Sequence, residues 1–176
     1  MLLSTLLSRG GRFDAAIEEN RAVLRADPDN AKAWFNLGRA WSGAGKPEEA
    51  ERAYRAAIAI DPDYGAAWVN LGVVLADKGE PRRAIAVYRE ALDREAGDPK
   101  LRYNLALQYR KVGDLPASEE ELRRATRLDP AYRKAWKLLA EVVQARSGAD
   151  AAKQVKAAAD AAAAKHPEAL ENTDGT

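Results

Sequence analysis

The sequence predicts an all-α fold, a right-handed superhelical solenoid of antiparallel helix pairs. Three observations carry that expectation. The stretch AWFNLG at 33–38 returns as AWVNLG at 67–72 and, more worn, as RYNLAL at 102–107, which sets Asn36, Asn70 and Asn104 34 residues apart. A fixed period of this length marks a repeat architecture. Within each copy the packing residues fall at i, i+3, i+4 and i+7, the spacing of one helical face. Alanine is abundant while aromatic residues make up only 7% of the chain, a balance that favours helix over strand.

The elements follow in register. The leading copy, about residues 1–30, is truncated: Gly11, Phe13, Ala16 and Pro28 fit the second half of a unit, and its first helix spans only about 2–9. The copy at 31–64 opens with Trp34, Leu37, Gly38 and Trp41, which become Trp68, Leu71, Gly72 and Leu75 in the copy at 65–98. In 99–132 the same positions hold Arg102, Leu105, Ala106 and Tyr109, and in 133–166 they hold Trp136, Leu139, Ala140 and Val143. Glycine follows the first helix in register, as Gly11, Gly45, Gly79 and Gly113, where a left-handed residue closes a helix end.

Pro47, Pro81 and Pro116 lie near the starts of second helices, where a missing N–H costs little. There Ala50, Tyr54 and Ala57 recur as Ala84, Tyr88 and Ala91, then as Ser118, Leu122 and Ala125. The dipeptide DP at 27–28, 61–62 and 129–130 ends the unit, because proline bars the helix from continuing. In the second copy DP comes late, at 98–99, after EAG, and this junction is expected to be the least regular. The final helix, about 149–165, is mostly Ala and Lys and suits a terminal position with one face in water, and 167–176 reads as a disordered tail. Residues 1–166 thus form a single domain of about four and a half repeats, each pair burying its stripe against its neighbours.

On a helical wheel advancing about 100° per residue, Asn36 lies roughly 200° from Trp34, on the face that this packing leaves free. Lys32, Phe35 and Arg39 share that face in 31–64, and Val69, Val73 and Asp77 share it in 65–98. In 99–132 it holds Lys100, Tyr103, Leu107 and Lys111, and in 133–166 Lys134, Lys137, Leu138 and Glu141. Six cations (Lys32, Arg39, Lys100, Lys111, Lys134, Lys137) against Asp77 and Glu141 leave +4 on one face of a chain whose net charge is +1. That face favours an acidic or carboxylate-ended segment, with Phe35, Val69 and Tyr103 as apolar contacts.

The large-Leu-Gly-large stripe and the Ala-aromatic-Ala stripe, with proline in one register, resemble the tetratricopeptide repeat family over nearly all of 1–166. The resemblance implies that the first helices line a concave surface that binds peptides. It also implies that Asn36, Asn70 and Asn104 form a ladder similar to that of the O-linked N-acetylglucosamine transferase type of array. An Asn side chain is both donor and acceptor, so it can pair with one peptide unit of an extended chain whatever that chain's side chains are. The carboxylate clamp of chaperone-binding members is matched only at Asn70 and Lys100. Phe35, Arg39 and Asn104 depart from it, so generic recognition by a basic groove is expected.

Other chemistry is excluded or weak. Without cysteine there is no disulfide, thiolate metal site or Cys nucleophile, and His166 is the single histidine, so no catalytic residue, metal site or cofactor is assigned. GAGKPEE at 43–49 has Pro47 where a phosphate loop needs Ser or Thr. The near-zero net charge and the lack of interleaved basic and stacking residues argue against nucleic acid. The apolar run in MLLSTLLSRG is too short for a membrane span or signal segment, so the protein is expected to be cytoplasmic with no membrane insertion. The expected function is a non-catalytic protein–protein interaction scaffold. Two alternatives are a substrate-recruiting segment of a larger enzyme such as a glycosyltransferase, and a homo-oligomer formed through the truncated first repeat.

Overall fold

The computed structural model describes residues 12–94 and 98–165. The expectations for the helix at 2–9, for Gly11, for EAG at 95–97, and for His166 and the 167–176 tail lie outside the described residues. Among the described residues every regular element is an α-helix. None of these helices is long and apolar enough to cross a membrane. They fall into two compact units, 1–94 and 95–176.

Unit 1 contains α1 (Phe13–Ala26), α2 (Ala31–Gly43), α3 (Pro47–Ile60), α4 (Gly65–Asp77) and α5 (Pro81–Arg94). Unit 2 contains α6 (Pro99–Lys111), α7 (Leu115–Leu128), α8 (Arg133–Ser147) and α9 (Ala149–Lys165). Within each unit successive helices pack on one another, as short connections between helices require. The turns are the ones glycine permits: Gly45, Gly79 and Gly113 have φ of +70°, +77° and +84°. A fourth such turn, Gly148 at +88°, falls outside the 34-residue register because α8 has 15 residues where α2, α4 and α6 have 13.

The DP dipeptides serve two purposes. Asp27, Asp61 and Asp129 follow the last residue of a second helix, and the carbonyls of Pro28, Pro62 and Pro130 accept the indole N–H of Trp34, Trp68 and Trp136 at 2.8–2.9 Å. Asp98–Pro99, expected to end a unit, instead begins one. The Asp98 carboxylate caps α6 by accepting from the N–H groups of Lys100 (2.7 Å) and Leu101 (3.3 Å), with Pro99 in the first turn. Asp98 thus holds the same register as Asn30, which caps α2 through the Ala33 N–H at 2.9 Å.

Each unit packs its helix pairs with a different device. In unit 1 a Cβ added at Gly38 would lie 2.7 Å from the Tyr54 ring, and one at Gly72 would lie 2.2 Å from Tyr88. Glycine is therefore what admits the two buried phenols, whose burial raises their pKa above the usual tyrosine value. In unit 2 the corresponding pair is Ala106 and Leu122, both fully buried, and Ser118 Oγ donates to the Ala106 carbonyl at 2.8 Å. Leu139, Val142, Val143 and Val155 complete that core, and Val155 is the one buried residue of α9.

Candidate interaction faces

In unit 1 the candidate residues stand on α2 and α4. Phe35 is half-buried, with its ring centroid 5.9 Å from that of Tyr54 and 4.9 Å from that of Tyr64 at the start of α4. The Arg39 guanidinium lies 5.9 Å from the Phe35 ring centre. Burial raises the Tyr64 pKa, with help from Asp61 and against the charge of Arg39, so the phenol stays protonated and can donate. Lys32 is exposed, Val69 is half-buried, and Val73 is 38% exposed.

The expectation that Asn36 stands on a free face is corrected. It is only 6% exposed, and its Nδ2 finds no acceptor among the described residues. The wheel assumes one packing face, whereas α2 is packed by α1, α3 and α4, so its buried arc is wider than the Trp34 stripe. Asn70 is partly exposed and donates from Nδ2 to the Ala66 carbonyl of its own helix at 2.7 Å, which leaves its Oδ1 to accept.

In unit 2 the residues stand on α6 and α8. Tyr103 is half-buried and its ring centroid lies 5.3 Å from that of Tyr132, whose pKa is pushed up to about 12, by burial first and then by Tyr103, Asp98 and Asp129. Asn104 is half-buried and Leu107 packs onto the unit's core. Lys100, Lys111, Lys134 and Lys137 are exposed. Leu138, expected on the free face, is 5% exposed and belongs to the core, for the same reason as Asn36. Glu141 is paired with Arg110 at 2.7 Å, so it does not offset the lysines around it.

Lys137 also lines a groove of about 500 Å³ between α8 and α9, with Trp136, Ala140, Lys156 and Ala159. The repeat register does not point to this groove. It opens where Lys156 stands in place of Tyr54, Tyr88 and Leu122, which fill the same position in the other copies.

These stacked helix hairpins, with Gly–aromatic packing and capped 34-residue units, have counterparts among known proteins. Residues 2–173 match the family described as the cilia and flagella-associated protein 70 C-terminal domain. The chain belongs to that family, whose architecture is the tetratricopeptide repeat. No curated protein matches the sequence. Among solved structures this member of the family is similar to MamA, with a TM-score of 0.84 and 22% identity over 96% of this chain and 98% of that one. The MamA of Desulfovibrio magneticus RS-1 gives 0.80 and 18%, covering 93% of each chain. YrrB, described as a tetratricopeptide repeat protein with an unusual peptide-binding site, gives 0.74 and 20% over 95% of this chain and 86% of that one. At these identities the likeness is one of fold.

Proposed function

We propose that this protein is a non-catalytic interaction scaffold whose first-helix faces bind an extended, acidic segment of a partner protein. The observation that carries the reading is the charge on those faces. Lys32 and Arg39 in unit 1, and Lys100, Lys111, Lys134 and Lys137 in unit 2, have no carboxylate partner among the described residues. Several arginines of the second helices are instead committed to glutamates of the same chain, as Arg55 and Arg83 are to Glu51. On each unit an acidic segment would supply the missing partners, with Phe35 and Val69 as apolar contacts in unit 1 and Tyr103 in unit 2. Asn36 and Asn70 in unit 1, and Asn104 in unit 2, would meet the segment's backbone, Asn36 after a rotation that brings its unpartnered amide to the surface. YrrB, which shares the fold and is described as having a peptide-binding site, supports this use of the architecture.

Fluorescence anisotropy with a labelled Asp/Glu-rich peptide and its Asn/Gln counterpart tests the reading. The acidic peptide is expected to bind at least about tenfold more tightly, a difference of roughly 1.4 kcal/mol, and to weaken as salt screens the faces. Lys100→Glu/Lys134→Glu should lose that preference while keeping the circular dichroism of the wild type. Equal binding of the two peptides would overturn the acidic selectivity.

A further inference from the structure

Unit 1 carries a second surface that the proposed function leaves unused. Two grooves there are floored by tryptophan. One, of about 450 Å³, lies among α1, α2 and α3, where Trp34 sits with Leu24, Leu37 and Ala53. The other, of about 410 Å³, lies among α3, α4 and α5, where Trp68 sits with Ile58, Leu71 and Val87. The one polar atom of each indole is already engaged, since both N–H groups donate to proline carbonyls. What the grooves offer is therefore apolar surface.

Their rims are basic. Arg21, Arg25 and Arg52 line the first groove against the single carboxylate of Glu49, and Arg25 and Arg52 have no ionic partner among the described residues. Trp41, in the same groove, has Arg21 and Lys46 over its ring at 5.2 and 4.9 Å. Arg55 and Arg83 flank the second groove, but both are held by Glu51, and Glu90 stands beside them. Arg21 is paired with Glu18 at 2.9 Å, so Arg25 and Arg52 of the first groove are the uncompensated cations beside an apolar floor. The occupant that answers both features is a chain with carboxylates around a bulky apolar side chain.

We infer that the Trp34 groove is a second docking surface that takes an acidic linear segment of a partner protein anchored by Leu, Phe or Trp. The anchor seats among Leu24, Leu37 and Ala53 beside the Trp34 indole, and its flanking Asp or Glu residues pair with Arg25 and Arg52. Charge-assisted pairing to arginine is the stronger and more directional kind. A nucleic acid fits less well. Bases need an open aromatic face, whereas Trp68 is 7% exposed and Trp34 is half-buried beside Leu24 and Leu37. In the copy at 99–132 there is no indole to floor such a groove, because Arg102 stands where the tryptophan would and is bound to Glu121 at 2.7 Å.

The test is to pan a displayed library of random peptides on the full chain and to measure the enriched peptides by anisotropy. The targets are the wild type, Arg25→Glu/Arg52→Glu, and Lys32→Glu/Arg39→Glu, which alters the first-helix face instead. Enriched peptides should include acidic sequences with a Leu, Phe or Trp that weaken at least about tenfold, or 1.4 kcal/mol, with the first pair and less than about twofold with the second. Arg25 and Arg52 are exposed, so that variant should keep its circular dichroism. The proposal is overturned if no acidic peptide is enriched, or if every enriched peptide binds Arg25→Glu/Arg52→Glu as tightly as the wild type. It is also overturned, in favour of nucleic acid, if oligouridylate binds the wild type and is lost with the same pair.

Discussion

Unit 1 and unit 2 meet one packing problem with two residue sets, and the contrast shows which residues act together. Where a first helix crosses its second helix, unit 1 places Gly38 beneath Tyr54 and Gly72 beneath Tyr88, at separations that leave no room for a methyl group. Unit 2 places Ala106 with Leu122. When the ring shrinks to leucine the methyl returns, so the local volume is roughly kept, which is the kind of exchange a core tolerates. Glycine and tyrosine are thus one device, and neither can be changed alone without loss. In the last copy Ala140 faces Lys156, which cannot fill the space, and the groove between α8 and α9 results.

The largest effect should come from breaking that device in unit 1. Gly72→Ala gains up to about 1 kcal/mol in helix propensity. It also drives a methyl to 2.2 Å from a ring that is only 1% exposed. Overpacking costs about 1–3 kcal/mol and occasionally more; at this separation the upper end applies, so a net loss of about 2 kcal/mol is expected in urea unfolding. In a Tyr88→Leu background the same change should become neutral or stabilising, since it recreates the pairing of unit 2. Equal costs in both backgrounds would separate the two residues and break the comparison.

A second contrast is electrostatic. Glu51 accepts from Arg55, Lys78 and Arg83, and 68 residues on Glu119 repeats the arrangement with Arg123 and Arg146. The equivalent of Arg83 is Ala151, so unit 1 has the fuller cluster. Burial alone would raise the Glu51 pKa, but the hydrogen bonds from Lys78 and Arg83 and the charge of Arg55 lower it to about 2 from the usual 4.5. A carboxyl held low stabilises the fold above its unfolded pKa and loses that contribution as pH falls through its folded pKa. Glu51→Gln should therefore cost about 2 kcal/mol at pH 7, discounted for the exposure of the arginines. The difference from wild type should shrink below about pH 4.5 and vanish near pH 2. Glu119→Gln, with one cation fewer, should cost less. A pH-independent difference would show that the cluster acts by packing and not by charge.

Helices and turns are readily legible in the sequence, and burial is less so. Period and stripe place α2 to α9 because a 34-residue repeat reports the same contacts several times, and the proline and glycine positions mark most ends. Asn36 and Leu138 depart from expectation on one physical ground. A wheel built on a single stripe describes a helix with one neighbour, and these helices have more than one. The Asp98 cap is hidden because the other three DP dipeptides sit three residues earlier in their units, just past a helix end, while Asp98 occupies the N-cap position itself. The Trp-floored grooves are invisible for another reason. The stripe assigns the tryptophans wholly to packing, and only the structure shows that Trp34 is half-buried and lines a groove.

The smallest effect is the one on which the units should agree. Gly45 and Gly113 have φ of +70° and +84°, and a Cβ at either would meet nothing within 4 Å. Substitution by Ala is therefore opposed by backbone strain alone, which for a left-handed residue is about 1 kcal/mol. Gly45→Ala and Gly113→Ala should lower stability by that amount each, and by the same amount within error, whichever unit carries the change. If the units unfold in separate steps, as repeat proteins with nearest-neighbour coupling can, each loss should appear only in its own step. That equality gives the comparison its baseline, because the turn is common to both units and the difference between them lies in what the helices bury. A markedly larger cost in one unit would mean that its turn is held by contacts beyond the conformation of glycine.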